Sequence, residues 1–149
     1  MDAIPGWDES TALFMRLRPY VRHCGDSRRP AWEIGRRRLL DYMLVYIAEG
    51  TGHFSRGNDQ FDVKPGDLFW VPPDTDHAME GFAPFMRCPY IHFDLLYDPA
   101  RSHWEFSIPP GMCDLSEFAM LMHPPLNAPE LDLPPLLQYH NNTRIGDLV

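Results

Sequence analysis

The chain has 149 residues, of which 44% are hydrophobic, 13% aromatic and 23% charged, and its net charge is −8. This length and composition fit one globular domain with its own core and exclude a disordered or fibrous protein. The longest apolar run, from Tyr42 to Ala48, is too short to cross a bilayer, and the N-terminus lacks the features of a signal peptide. We therefore expect a cytoplasmic protein without a membrane association.

The charge is unevenly spread along the chain. Residues 1–57 carry nine arginines and seven acids, whereas residues 58–149 carry four basic residues and fourteen acids. The phosphate backbones of nucleic acids repel so acidic a chain, so it is not expected to bind DNA or RNA by itself. The arginine cluster from Arg16 to Arg38 is the one basic region that departs from this pattern. The three cysteines form no Cys-x-x-Cys pair, which predicts reduced and mostly buried thiols.

Short runs of β-forming residues occupy the segment from Arg38 to Asp98, with Gly, Pro, Asn and Asp about every ten residues between them. This spacing is typical of a β-meander. The 16 prolines leave little room for helices, and only Leu115–Met122 is suited to a short one. The predicted strands are Leu40–Ala48, His53–Arg56, Gln60–Val63, Leu68–Val71 and Cys88–Leu95.

The last of these strands alternates between two kinds of side chain. Cys88, Tyr90, His92 and Asp94 share one face, and the opposite face is purely apolar. In a closed sheet one such set enters the core while the other lines a cavity. The pattern therefore favours a mainly β fold, either a barrel or a jelly roll.

The segment from Gly66 to His77 is the most specific motif. It resembles the second signature of the cupin superfamily, in which a Gly starts a strand, a Pro-containing turn follows, and a His opens the return strand. Asp74 stands where that pattern usually has Gly, but Asp also tolerates turn and left-handed conformations. The resemblance implies a cupin-like jelly roll with a short helical segment towards the C-terminus.

Enzymatic cupins also carry a first signature whose histidines and carboxylate complete a metal site. In that register this chain has His53, Ser55 and Asp59, followed by His77. Because Ser replaces one His and Asp replaces the Glu, we expect no metal and no other cofactor. The alternative hypothesis is a small metal-dependent cupin enzyme, an isomerase or dioxygenase, that uses this remnant.

Four pieces of sequence together resemble the N-terminal ligand-sensing domain of AraC-family transcription regulators. They are Arg36–Gly52, Lys64–Asp67, Pro72–Pro73 with His77, and Ile91–Phe93. The resemblance implies a domain without catalytic residues that binds a small effector, often a sugar, and that forms a homodimer in the full-length protein. It also implies DNA binding through a C-terminal helix-turn-helix region, for which this chain contains no basic helical segment.

The resemblance divides the chain into three parts. Residues 1–15 correspond to an arm that folds over the effector in some relatives, with a frayed terminus as the alternative. Residues 16–112 correspond to the effector-binding barrel, and residues 113–149 to a proline-rich extension towards the absent dimerisation and DNA-binding regions.

The candidate ligand-binding residues follow from the resemblance and from strand alternation. His77 and Tyr90 occupy effector-contacting positions by resemblance, and an aromatic ring such as that of Tyr90 can stack on a sugar. At most one arginine of Arg36, Arg37 and Arg38 is expected to reach the effector, for which its forked donors are suited. The predicted set is His77, Tyr90, His92, Arg38, Arg36, Trp70 and Tyr46. The alternative for His77 is a histidine bonded to the backbone at the start of a strand, and for the other histidine and the aromatic side chains it is packing in the core.

Overall fold

The computed structural model describes residues 9–123, 126 and 131–138, with side chains from residue 12 onwards. In chain order its elements are α1 (Glu9–Arg16), β1 (Tyr20–Gly25), β2 (Arg28–Arg29), β3 (Trp32–Arg37), β4 (Tyr42–Tyr46), β5 (Gly52–Arg56), β6 (Asp59–Val63), β7 (Asp67–Val71), β8 (His77–Gly81), β9 (Met86–Arg87), β10 (Tyr90–Asp94), a 3-10 helix (Ser116–Leu121) and β11 (Leu136–Gln138).

Two antiparallel sheets make up the domain. The first has the strand order β1-β10-β4-β7-β11 and the second β3-β8-β5-β6, while β2 and β9 form a separate pair. Apolar side chains from both sheets meet in one core cluster, of which Phe54 in β5 and Phe69 in β7 are fully buried and pack edge to face. The predicted mainly β fold with few helices is confirmed.

The pairing of the strands is not that of a meander. Among the described strands, only β5 and β6 pair as consecutive neighbours, and β4 lies between β10 and β7. The chain passes from one sheet to the other and back, so strands close in sequence are often in opposite sheets. Turn residues indicate where a strand ends but not which strand it joins, and the meander expectation was wrong for that reason.

Three strands precede the predicted sheet region. β1 pairs with β10, and β3 pairs with β8, each with an irregularity in its register. Arg36 and Arg37 consequently lie within β3 rather than ahead of the first strand. These segments are rich in arginine and expose most of their outer side chains, so they lack the apolar run by which a buried strand is detected.

The turn before β8 takes the conformation expected from the sequence motif. Asp74 has a φ of 54°, in the left-handed region that glycine usually occupies, and Gly66 before β7 has a φ of 97°. Asp adopts this region more readily than most residues because its short side chain bonds locally. The prediction that Asp74 replaces the usual glycine of the turn is confirmed.

The C-terminal part differs from expectation in two places. The predicted short helix is a 3-10 helix, and β11 adds a strand to the edge of β7, where no strand was predicted. Residues 1–8 of the predicted arm, and residues 124–125, 127–130 and 139–149 of the predicted extension, lie outside the described residues. Within the described residues, no helix is long and apolar enough to span a membrane.

Candidate functional site

Two adjoining cavities open from the interior between the sheets. The first has a volume of about 220 Å³ and the second about 390 Å³. His23, Arg37, His92 and Ser107 line both cavities, so together they form a shared wall. The first cavity is otherwise lined by Ser27, Arg29, Trp32, Ile34, Met43, Val45, Met79, Met86, Cys88 and Tyr90.

Strand alternation brings the polar side chains of β10 to the cavities. Tyr90 and His92 line the first cavity together with Cys88 just before the strand, whereas Phe93 packs in an apolar cluster with Tyr42 and Trp70. These are the two faces that the alternation predicts.

A glycine in β1 makes room for Tyr90. A Cβ built on Gly25 would lie 2.8 Å from the phenol ring, closer than side chains pack. The phenol hydroxyl is hydrogen-bonded at 2.8 Å to Nε2 of His23, which lies in β1 like Gly25. The Gly25 backbone therefore lets Tyr90 lie flat beside β1 and keeps its hydroxyl at the cavity wall.

Arg37 is held between a histidine and a backbone carbonyl. Its Nη1 donates to the carbonyl oxygen of Ile108 at 2.8 Å, and its Nε donates to Nε2 of His77 at 3.4 Å. Nδ1 of His77 in turn lies 3.1 Å from the carbonyl oxygen of Thr75, which can only accept a hydrogen bond. The imidazole thus carries its proton on Nδ1 and presents a lone pair to Arg37.

The environment of His77 favours its neutral form. The side chain is fully buried, and this burial lowers the pKa of His77 to about 4, with the nearby Arg37 charge acting in the same direction. His77 supports Arg37 from behind but is not among the residues that line either cavity.

Below the shared wall lies a buried network of charged side chains. Arg22 donates to Asp41 at 2.7 Å and to Asp94 at 2.6 Å, with all three side chains almost completely buried. His92 lies 3.3 Å from Asp41, and His123 lies 3.1 Å from Asp94. The guanidinium of Arg22 also stacks on Trp104, 4.0 Å from the ring centroid. The network connects β1, β10 and the segment after β3 at the floor of the second cavity.

The cysteine in the first cavity has an unreactive thiol. Burial raises the pKa of Cys88 to about 12, so its thiol stays protonated at neutral pH. The expectation of mostly buried thiols holds for Cys88 and Cys113, which are half-buried, but was wrong for Cys24, which is exposed.

The structure does not bring Trp70 or Tyr46 to the cavity. Leu44 pairs with Trp70 across β4 and β7, and both belong to the apolar cluster on the outer face of the sheet. Tyr46 is two residues from Leu44 and shares that outer face, whereas Met43 and Val45 face the cavity. The run from Leu40 to Ala48 is apolar on both faces, so its alternation cannot identify the inner one.

Of the three consecutive arginines, the middle one lines the cavity. Arg38 lies 2.6 Å from Asp76 and 3.3 Å from Asp74, and Arg36 lies 3.3 Å from Asp76. These pairs hold Arg36 and Arg38 at the surface beside the turn before β8. The register of β3 shifts between Ile34 and Arg37, and this irregularity turns Arg37 towards the cavity that Trp32 and Ile34 also line.

The residues of the remnant metal signature, His53, Asp59 and His77, do not come together in the structure. His53 is hydrogen-bonded to Asp62 and Gln60 on the outer face of β5, where Asp62 raises its pKa, and it is Phe54 that faces the core. Asp59 is exposed at the start of β6, and His77 is buried behind Arg37. Among the described residues, no group of three or more His, Cys, Asp or Glu is arranged to hold a metal ion.

Several cavity residues were not singled out from the sequence. His23, Trp32 and Trp104 come from segments without a detectable strand pattern, and no local motif marks them. Arg37 was considered, but only as one of three equivalent arginines. Alternation from Trp32 and Ile34, which also line the cavity, would have selected Arg36, and the register irregularity between Ile34 and Arg37 could not be read from the sequence.

The fold and the cavities define a β domain with two adjoining open cavities between its sheets. The family model described as AraC-like ligand binding domain matches residues 20–81, a segment that runs from the start of β1 to the end of β8. This match confirms the resemblance to the ligand-sensing domain of AraC-family regulators.

Similarity to individual proteins covers smaller parts. An uncharacterized protein of Methanocaldococcus jannaschii is 40% identical over 58 residues, which is 34% of this chain and 46% of that protein. The chain thus spans just under half the length of this relative. The Cnp3 cupin domain of Schizosaccharomyces pombe is 17% identical with a TM-score of 0.44, covering 51% of this chain and 61% of that one. Oxalate decarboxylase from Bacillus subtilis is 15% identical with a TM-score of 0.43, covering 51% and 22%.

Proposed function

We propose that this domain senses a small polar effector for an AraC-type transcription regulator and that the effector binds at the shared wall of the two cavities. One observation carries the proposal. His23, Arg37, Tyr90 and His92 place polar groups on the wall of a largely apolar cavity, the arrangement by which proteins bind and orient small ligands. The match to the ligand-binding family supports the same function.

Binding acts by a shift of population rather than by chemistry. An effector that prefers one arrangement of the cavity stabilises it and changes how the rest of the regulator is held. In this proposal the domain has no catalytic role, functions in the cytoplasm as a homodimer, and leaves DNA contact to a helix-turn-helix region of the regulator.

A sugar is the effector class predicted from the sequence, and a thermal-shift screen tests it. A mono- or disaccharide or a sugar acid that is the effector would raise the melting temperature, because a ligand at 100 times its Kd stabilises the folded state by about 2.7 kcal/mol. The screen uses chelator-treated protein, with divalent metals as a separate arm that tests the metal-dependent enzyme.

Two tyrosine variants locate the binding. Tyr90→Ala removes a ring from the cavity wall, whereas Tyr97→Ala removes an exposed ring that bonds His103 outside the cavities. The effector shift should be lost in Tyr90→Ala and kept in Tyr97→Ala. A ligand that stabilises both variants equally binds elsewhere and contradicts the proposed site.

A further inference from the structure

The first cavity carries positive charge without a matching acid. Two arginines and two histidines line it, and none of its described lining residues is Asp or Glu. This contrasts with the whole chain, whose net charge is −8. The cavity is therefore an electropositive site within an acidic protein.

Arg37 is the unmatched charge deepest in this wall. Among the described residues, no carboxylate lies within salt-bridge distance of its guanidinium, although six other arginines of the domain are paired in this way. Two of its five N–H groups donate to Ile108 and His77, which leaves three without a described partner. Burial lowers the pKa of Arg37, and the more distant charge of Asp41, which is itself paired with Arg22, acts in the opposite direction without reversing this effect.

The second arginine lies at the entrance. Arg29 is exposed and stacks over Trp32, with its guanidinium carbon 4.9 Å from the ring centroid, and it too has no carboxylate partner among the described residues. Its position lets it attract an anion towards the cavity, where Arg37 can bind it with a planar fork of donors.

Apart from Ser27, Cys88, Tyr90 and Ser107, the remaining wall of the first cavity is apolar. Met43, Val45, Met79 and Met86 are buried there, and Ile34 and Trp32 complete the surface. Hydroxyl groups of a sugar would lose water against this wall without gaining hydrogen bonds, which is costly. A hydrocarbon or aromatic group would instead gain from the contact, and the flexible methionines can adapt to its shape.

The second cavity indicates how such a ligand is oriented. Its lining includes Asp41 and Glu105, and Asp41 is paired with Arg22 and lies 3.3 Å from Nδ1 of His92. A carboxylate placed deeper in that cavity would meet these acids, whereas at the shared wall it meets Arg37, His23 and His92.

From these observations we infer that the effector is an organic carboxylate with an apolar body: the carboxylate binds Arg37 at the shared wall, and the body packs against the methionine-lined side of the first cavity. This inference rests on the proposed function and narrows the effector class away from neutral sugars.

Matched ligands test the charge of the effector on the unmodified protein. Phenylacetate and phenylacetamide have the same shape and differ in charge, and glucuronate and glucose form a second pair with a polar body. Hydrogen bonds to charged groups exceed neutral ones by enough to give a roughly 10- to 100-fold preference for phenylacetate over phenylacetamide. Titration calorimetry at low salt measures the four affinities, and phenylacetate should also bind more tightly than glucuronate.

Variants of Arg37 and of its neighbour Arg36 test whether Arg37 binds the carboxylate. Arg37→Gln should weaken phenylacetate binding by the same factor and leave phenylacetamide binding unchanged. Arg36→Gln is the matched control, since Arg36 lies next in the same strand but pairs with Asp76 at the surface. Should Arg37→Gln fail to fold, Arg37→Lys retains the charge without the fork, and the comparison of ligand pairs on the wild-type chain stands alone.

The outcomes separate the inference from the proposed function. Glucose or another neutral sugar that binds in a Tyr90-dependent way, while no carboxylate binds at 10 mM, would overturn the carboxylate inference and support the sensor. Phenylacetate that binds Arg37→Gln as tightly as wild type would also overturn it. If neither neutral nor anionic ligands at 10 mM bind the wild-type chain, both the inference and the sensor lose their support.

Discussion

His77 shows how one buried side chain prepares the binding wall. Its lone pair accepts the N–H of Arg37 only while the imidazole is neutral, and burial with a pKa of about 4 keeps it so at physiological pH. Protonation would put two positive charges side by side in the interior. The orientation of Arg37 therefore depends on a histidine that does not line either cavity.

This pKa predicts a pH dependence of folding stability. Since the folded pKa of His77 lies below the usual 6.5, the unfolded chain binds the extra proton between about pH 6.5 and 4. The contribution of His77 to the free energy of unfolding is complete above pH 6.5. It is lost as the pH falls to 4, and this loss reaches about 3 kcal/mol. Urea unfolding of wild type and His77→Gln across this range should show a flatter profile for the variant.

A second histidine supplies the control for that experiment. The pKa of His53 is raised by Asp62, so its effect has the opposite sign: it stabilises below pH 6.5 and fades as the pH rises through the folded pKa. Because His53 lies on the surface, water screens the effect and His53→Gln should change the profile little. Parallel profiles for His77→Gln and wild type would contradict the assignment of His77.

At the scale of the elements, Arg22 in β1 joins the partner strand β10 to two segments that pair with neither strand. Its guanidinium bonds Asp41 after β3, Asp94 in β10, and the carbonyl oxygen of Ser102 at 3.1 Å. Removing one partner of a buried ion pair leaves an uncompensated charge in the interior, which is far more costly than losing a pair at the surface.

Replacing this arginine should therefore destabilise the fold strongly. We expect Arg22→Met to lower the free energy of unfolding by about 3–5 kcal/mol, because Asp41 and Asp94 remain buried without it. Arg28→Met is the matched control, since Arg28 pairs with Glu49 on an exposed surface, and it should cost less than about 1 kcal/mol. Equal costs in urea unfolding would show that the buried network does not carry this stability.

The same scale explains what could be predicted from the sequence. The alternation in β10 and the left-handed turn at Asp74 are local properties, and both could be derived from neighbouring residues. Whether Tyr46 or Val45 of β4 faces the cavity depends on which sheet packs against which side, and residues far along the chain decide that. The choice of Arg37 over Arg36 and Arg38 likewise required knowing that β3 exists and pairs with β8.

For the molecule as a whole, β11 closes an otherwise open edge. Leu136 to Gln138 pair with β7, and the amide N–H of Trp70 donates to the carbonyl oxygen of Pro135 at 2.9 Å. Leu126, Leu131 and Leu133 pack against the apolar cluster of Tyr42, Trp70 and Leu95 on the outer face of the first sheet. An exposed strand edge beside an apolar surface promotes association between chains.

Truncation should reveal this role. A chain ending at Glu130 lacks β11 together with Leu131 and Leu133, and we expect its melting temperature to fall by several degrees, since each kcal/mol corresponds to about 2–4 °C in a domain of this size. It should also aggregate in light scattering, whereas a chain ending at His140 should behave like the full sequence. Identical behaviour of the two truncations would show that β11 is dispensable.

The shared wall between the two cavities has a consequence for how such a sensor diversifies. Arg37 projects from β3, while the methionines that line the first cavity come from β4, β8 and β9. A substitution at Met43 or Met79 can thus alter which ligand bodies fit without disturbing the anchor for the charged group. In the proposed sensor, new ligand specificities can arise by single substitutions of the lining residues. None of these substitutions has to disrupt the fold or remove Arg37.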